Sequence, residues 1–256
     1  FWHKVLFDIG VVTTEEPFQR LVNQGMILGE NGVKMSKSLG NVINPDDIVQ
    51  EFGADTMRVY EMFMGPLQQE KPWSTQGLVG VHRFLERVWR LTERDLSDEA
   101  ADDELRRSLH KTIQKVGDDT SRLAFNTAIS QLMILVNELY KRETRPREVW
   151  EPLVRMLSPY APHLAEELWE MMQAPAPVSL AAWPEYDPAL TVDEELEVVL
   201  QVNGKIRSRL TVAAGTDREE LERLARDNGR IAELLTDRTV VKVIAVPDKL
   251  VNFVVN

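Results

Sequence analysis

Residues Lys34-Met35-Ser36-Lys37-Ser38 place two ammonium groups and two hydroxyls within five positions, between Gly32 and Gly40. A polyphosphate asks for that chemistry: compact positive charge beside oxygens that gain negative charge as a phosphorus–oxygen bond breaks. Lys34 and Lys37 stand three residues apart, so one helical turn through the loop would bring both ammoniums to one side. Ser36 and Ser38 add donors to the same anion. The flanking glycines can take φ > 0 and let the segment swing, as a loop that closes on substrate and opens for product requires. An isolated Lys-x-x-Lys is usually a solvated surface. It is the whole string that favours the chemical reading.

The chain that must carry this loop has 256 residues, enough for one large domain or two to three small ones. With 43% hydrophobic and 28% charged residues it is ordinary globular material. No apolar run reaches the length of a membrane span, and no signal-peptide pattern opens the chain, so no membrane partner is expected and the expected location is the cytoplasm. Cysteine is absent, which excludes disulfides and thiolate metal sites. His3, His82, His110 and His163 are too scattered in sequence to suggest a metal site. A net charge of -11 argues against a generally basic nucleic-acid binder, so any RNA surface must be a local patch.

Three zones follow one another. The first, 1–75, reads as mixed α/β: an amphipathic Phe1–Ile9, the short apolar run 24–28, the loop, and two helices. Asn44-Pro45-Asp46-Asp47 starts the first of these, with proline in the first turn and acids at the positive end of the dipole. Gly53 breaks it, and residues 54–64 continue as a helix with Met57, Tyr60 and Met64 at core spacing. The segment opening at Phe1 begins inside a helix, so the chain is expected to be cut from something longer.

The second zone, 76–185, predicts five helices with short links and one shared core, a bundle. Pro146 and Pro162 sit where the fourth and fifth would start. On the first helix Arg83, Arg87, Arg90 and Arg94 fall on one face, and Arg107, Lys111 and Lys115 repeat the pattern on the second. Such stripes can track a phosphate backbone, although exposed charges are as often merely solvated. The acid-rich link 93–104 is expected to face away from RNA.

After the proline-rich stretch 175–188, the third zone, 193–256, predicts ββααββ. Asn203-Gly204 signals a hairpin. A two-residue turn would pair Val202 with Lys205 and set Leu200 beside Arg207, against the apolar pattern. A three-residue loop with Gly204 at a bulge pairs Leu200 with Ile206, Leu196 with Leu210 and Glu197 with Arg209, and is the register expected. Thr216 and Glu219 predict a capping box on the following helix. Lys205, Arg207 and Arg209 are expected on one face of the second strand, either gripping RNA phosphates or guarding a sheet edge.

Lys34-Met35-Ser36-Lys37-Ser38 with Leu39-Gly40-Asn41 and Pro45 resembles the second signature of class I aminoacyl-tRNA synthetases. The resemblance implies attack of an amino-acid carboxylate on the α-phosphate of ATP with pyrophosphate leaving. Lys37 would make the ATP contact and stabilise charge, Lys34 would assist as the second catalytic lysine, and Met35, Ser36 and Ser38 would complete the ATP-binding loop. Mg2+ would accompany the ATP. Residues 61–67 and 125–133 resemble bacterial leucyl-tRNA synthetases, as do 1–4, 23–28, 201–207 and 249–252. Leu39 departs from the lysine common there and is more like the valyl and isoleucyl enzymes.

The fold so implied is multi-domain, α/β plus all-α: the end of a Rossmann-type catalytic domain with its signature loop, an anticodon-binding-type five-helix bundle, and a small α/β domain contacting tRNA. Implied partners are tRNA(Leu), leucine and ATP, with the protein a monomer. Arg83, Arg87, Arg90, Lys205, Arg207 and Arg209 would hold the tRNA. Only residues 29–33 stand where some bacterial leucyl enzymes carry an inserted domain, which implies the form without it. The family also needs a His-x-Gly-His signature, and no histidine here heads one, so this polypeptide alone is expected to be inactive. A noncatalytic RNA-binding or protein-interaction module of the same ancestry, or a valyl or isoleucyl fragment, is the alternative.

Overall fold

The computed structural model describes residues 1–192, 195–236 and 238–256; Asp193, the expected start of the third zone, lies outside them. The chain divides into two compact units, Phe1–Asp187 and Pro188–Asn256.

In the first unit, helix α1 (Trp2–Asp8) precedes strand β1 (Ile27–Leu28), helices α2 (Pro45–Phe52) and α3 (Ala54–Phe63), and strand β2 (Lys71–Pro72), which pairs parallel to β1. Helix α4 (Thr75–Arg90), strand β3 (Leu96–Ser97), helices α5 (Asp103–Ser121) and α6 (Phe125–Tyr140), strand β4 (Arg145–Pro146), and helices α7 (Arg147–Leu157) and α8 (Pro162–Met171) follow. Strands β3 and β4 form a second short parallel pair. The helix starts are chemically marked. Asn44 accepts the Asp46 N–H ahead of Pro45, Ser74 accepts the Gly77 N–H, and Asp102 accepts the Leu105 N–H.

Residues expected in two zones share one core. Val59, Tyr60 and Trp73 lie in the same buried cluster as Leu78, Leu132 and Trp150. On α3 the buried positions are Thr56, Val59 and Tyr60, so the stripe is rotated from the expected Met57–Tyr60–Met64. Rotation brings Asp55 to the start of α8, where it accepts the Leu164 N–H at 2.7 Å and meets the His163 ring at 2.8 Å. That carboxylate complements the N-terminal end of the α8 dipole. Arg142, just past α6, reaches back to the first turn of α5 and holds both Asp102 oxygens at 3.0 Å.

The second unit holds strands β5 (Glu195–Val202) and β6 (Lys205–Ala213), helices α9 (Arg218–Asp227) and α10 (Gly229–Leu235), and strands β7 (Val240–Val246) and β8 (Leu250–Val255). Its sheet order is β6-β5-β8-β7, with β5 and β8 parallel and the outer pairs antiparallel. Val198, Leu200, Val251 and Phe253 cover Leu221, Ala225 and Ile231 of the helices.

Two local expectations are corrected. The hairpin uses the two-residue turn after all: Val202 pairs with Lys205, and Asn203 and Gly204 take φ of 49° and 74°, the left-handed pair an Asn-Gly turn favours. Arg207 is then an extra, bulged residue, and beyond it Leu200 pairs with Ser208 and Val198 with Leu210. The bulge lets both signals hold, because it returns Leu210 and Val212 to the core face after the turn has set the opposite phase. The cap of α9 is Asp217, which accepts the Glu219 and Glu220 N–H groups at 2.9 Å; Thr216 instead donates to the Ala213 carbonyl.

Candidate nucleotide-binding loop and cationic faces

The signature loop grows out of a tight hairpin. Leu28 and Lys34 form an antiparallel bridge, closed by the Gly29 N–H to the Val33 carbonyl at 2.9 Å. Within it Asn31 accepts the Val33 N–H and Gly32 takes φ of 72°, which suits a residue without Cβ. Lys34 therefore sits in extended backbone. A short 3-10 turn, Lys37–Leu39, begins after Ser36, whose hydroxyl accepts the Leu39 N–H and lies 3.1 Å from the Ser38 hydroxyl. Gly40 ends the turn with φ of 64°.

The expectation of both lysines on one helical turn is thus corrected: only Lys37 is in the turn, because hairpin pairing takes the backbone of Lys34. Both ammoniums are exposed, and neither forms an ion pair among the described residues. Met35, half-buried between them, packs on the core of the unit and anchors the loop. The arrangement suits a polyphosphate: two uncommitted cations and the two hydroxyls, on backbone held at both ends.

Two residues outside the string complete the frame. Asn41 accepts the Ser36 N–H at 2.9 Å and donates to the Lys34 carbonyl at 3.4 Å. Glu30, at the hairpin tip, accepts the Thr75 hydroxyl at 2.7 Å and the Thr75 N–H at 3.2 Å, at the start of α4. The Thr75 hydroxyl holds the Glu30 carboxyl below the usual range. Beside it the Tyr60 hydroxyl accepts the Ser74 N–H, and burial pushes its pKa up. Sequence reasoning missed Glu30 and the bracing by Asn41. The one available sign was Asn31-Gly32, a turn dipeptide six residues ahead of Lys37.

The cations expected on RNA faces divide by what holds them. On α4, Arg83 and Arg90 are exposed, with Glu86 3.8 Å from Arg90. Arg87 lies over the Tyr140 ring at 4.5 Å, and Tyr140 donates its hydroxyl to the Arg87 carbonyl. Arg94 leaves the stripe: it lies beyond the helix and donates to the carbonyls of Leu139, Tyr140 and Arg142, where it neutralises the end of α6. Lys115 pairs with buried Asp119 at 2.7 Å, and Arg107 and Lys111 are engaged as well. Burial pushes the Asp119 carboxyl up, but hydrogen bonds from Lys115, Thr127 and Arg122 outweigh it and hold the pKa low. In the acidic link, Asp98 pairs with Arg147, and Asp102 and Glu104 pair with Arg142.

In the second unit Lys205, Arg207 and Arg209 are all exposed but do not share one face. By register Arg209 stands opposite Val199 on the outer face and Lys205 opposite core-facing Val202 at the hairpin end, with Arg207 at the bulge between. Glu197 reaches Arg209 diagonally at 2.7 Å; its direct partner is Thr211.

A mixed α/β segment with this loop, followed by a five-helix bundle, is the arrangement of a class of tRNA-charging enzymes, and comparison with known proteins agrees. Residues 1–74 match the family model for tRNA synthetases class I (I, L, M and V), and residues 102–222 match that for the anticodon-binding domain of tRNA ligase. The chain belongs to the class I tRNA synthetases of this group. Among solved structures, it is similar to the agnB2 LeuRS of Agrobacterium radiobacter K84, crystallised as a ternary complex with tRNA and LeuAMS: 34% identity, TM-score 0.72, covering 99% of this chain. The chain spans about a third of that enzyme, 35% of its length. A Mycobacterium tuberculosis methionyl-tRNA synthetase in complex with methionyl-adenylate matches 68% of this chain and 42% of its own at 19% identity and TM-score 0.48, a much weaker likeness. No helix among the described residues is long and apolar enough to cross a membrane.

Proposed function

We propose that this chain is the C-terminal part of a cytoplasmic leucine-tRNA ligase, in which it supplies the ATP-facing loop and the surfaces that hold tRNA(Leu). The observation that carries the reading is the 34% identity to a LeuRS across 99% of the chain, the signature loop included. In the complete enzyme the leucine carboxylate attacks the α-phosphate of ATP, which enters with Mg2+, and pyrophosphate leaves. Lys37, at the start of its turn and in no ion pair among the described residues, moves onto the phosphates and stabilises charge that grows in the transition state. Lys34 adds a second cation from the hairpin, Met35 anchors the segment, and Ser36 and Ser38 hold its turn. Arg83, Arg87 and Arg90 on α4, and Lys205, Arg207 and Arg209 in the second unit, are the proposed phosphate contacts of the tRNA.

The test is charging of tRNA by the full-length protein, compared across leucine, isoleucine, valine and methionine. Charging with leucine, strongly preferred, supports the reading, and preference for another of the four overturns it. Tight tRNA binding with no charging would make the chain a noncatalytic module. No histidine here heads His-x-Gly-His, so residues 1–256 alone are expected to give no ATP–pyrophosphate exchange. Charge reversal at Arg207 and Arg209 should weaken tRNA binding and reduce its salt slope by about 1 for each phosphate no longer neutralised.

A further inference from the structure

The hairpin that carries Lys34 and the turn that carries Lys37 are separate pieces of backbone, and one side chain joins them. Asn41, only partly exposed, accepts the Ser36 N–H at 2.9 Å and donates to the Lys34 carbonyl at 3.4 Å. Its two polar atoms therefore hold the chain on either side of Met35. The amide also rests against the hairpin floor: a Cβ on Gly29 would stand 2.9 Å from Asn41 Nδ2, closer than real Cβ atoms approach. Gly29 itself is buried, and its φ is not left-handed; a Cβ there would meet the Asn41 amide first and the Asn31 side-chain oxygen next, at 3.2 Å, so the Asn41 amide would have to shift. Ser36 caps only its own turn, through Leu39 and Ser38, so it does not link the turn to the hairpin.

We propose that Asn41 is the positioning residue of the signature loop, its side-chain amide fixing the separation at which Lys34 and Lys37 are presented to the polyphosphate. It touches no reacting atom. It acts by removing backbone freedom that the transition state would otherwise have to restrict, and misplacing such a loop by about 1 Å can cost about a hundredfold in rate. The kinetic consequence rests on the reading that Lys37 serves adenylate formation; the structural one does not.

Asn41→Ala, Gly29→Ala and the double variant test both. In residues 1–256, Asn41→Ala should speed amide exchange at Ser36 by about tenfold or more, since its acceptor is gone. Unchanged exchange at Ser36 overturns the proposal whatever the protein's activity. In the full-length enzyme, Asn41→Ala should lower kcat for leucine-dependent ATP–pyrophosphate exchange by about ten- to a hundredfold with the leucine KM unchanged. Transfer of leucine to tRNA from preformed adenylate should stay at the wild-type rate. Gly29→Ala, which displaces the amide, should lower the ATP–pyrophosphate exchange rate in the same direction, and the losses in the double variant should be less than additive because both changes act on the Asn41 amide. Equal loss in activation and transfer, or additive losses in the double variant, would reduce Asn41 to a folding contact. A wild-type enzyme that exchanges with no amino acid sinks the proposed function instead, and leaves the Ser36 exchange to decide the positioning role.

Discussion

Lys34 and Lys37 present the same chemistry from differently held backbone, one from a hairpin and one from a capped turn. The string that carries them was legible because five residue types in a row specify it. The frame was not, since Glu30 and Asn41 act through partners that only the folded hairpin brings near. The same blindness applied to Arg94, which helix spacing placed in a phosphate stripe and which the fold commits to the Leu139 and Tyr140 carbonyls at the end of α6 and the Arg142 carbonyl just past it.

A quantitative expectation belongs to Asp102. The Arg142 guanidinium, with the Leu105 N–H, holds its carboxyl from an ordinary 3.8 down to about 2. The unfolded chain takes up that proton at higher pH, so the pair stabilises the fold above about 4 and is lost as pH falls through about 2. Asp102 is half-exposed, and solvent screening leaves about 1 kcal/mol. Asp102→Asn keeps a capping oxygen and loses the charge. Its deficit in thermal stability relative to wild type should therefore be present at pH 6 and shrink as the pH is lowered from 5 towards 2. A deficit that stays constant over that range would mean that the ion pair contributes nothing to stability.

At the scale of elements, the helix order was read correctly from apolar spacing and proline positions, because α4 to α8 each bury one stripe in a common core. The β5–β6 hairpin shows where such reading stops. Turn chemistry and apolar alternation disagree by one residue there, and the fold satisfies both by bulging at Arg207. Deleting Arg207 should therefore join Ile206 directly to Ser208 in a regular ladder and leave the unit folded, with a melting temperature within about 5 °C of wild type. Collapse of the unit on that deletion would show that Arg207 is not the extra residue.

At the scale of the molecule, the sequence suggested three zones where packing makes two cores. The first two zones fuse because Asp55 and Arg58 bond to Leu164 and Pro159 of the bundle, and because Tyr60 and Glu30 hold Ser74 and Thr75, where α4 begins; the first two links are too distant in sequence for any local pattern to reveal. Independent cores predict independent sensitivities. Leu132→Ala should cost the first unit about 2–5 kcal/mol, and Phe253→Ala the second about 3–5 kcal/mol, each from reduced burial and a cavity. Calorimetry should show each change moving one transition and leaving the other in place; a single transition shifted by both would mean one cooperative body.

The central claim, that this chain carries the adenylate-forming loop of a leucine-activating enzyme, meets its most direct test in the ATP–pyrophosphate exchange rate of the full-length protein and its Lys37→Ala variant. Exchange should depend on leucine and fall by about a hundred- to a thousandfold in the variant at unchanged melting temperature. Exchange without leucine dependence, or an unaltered rate in Lys37→Ala, would contradict it.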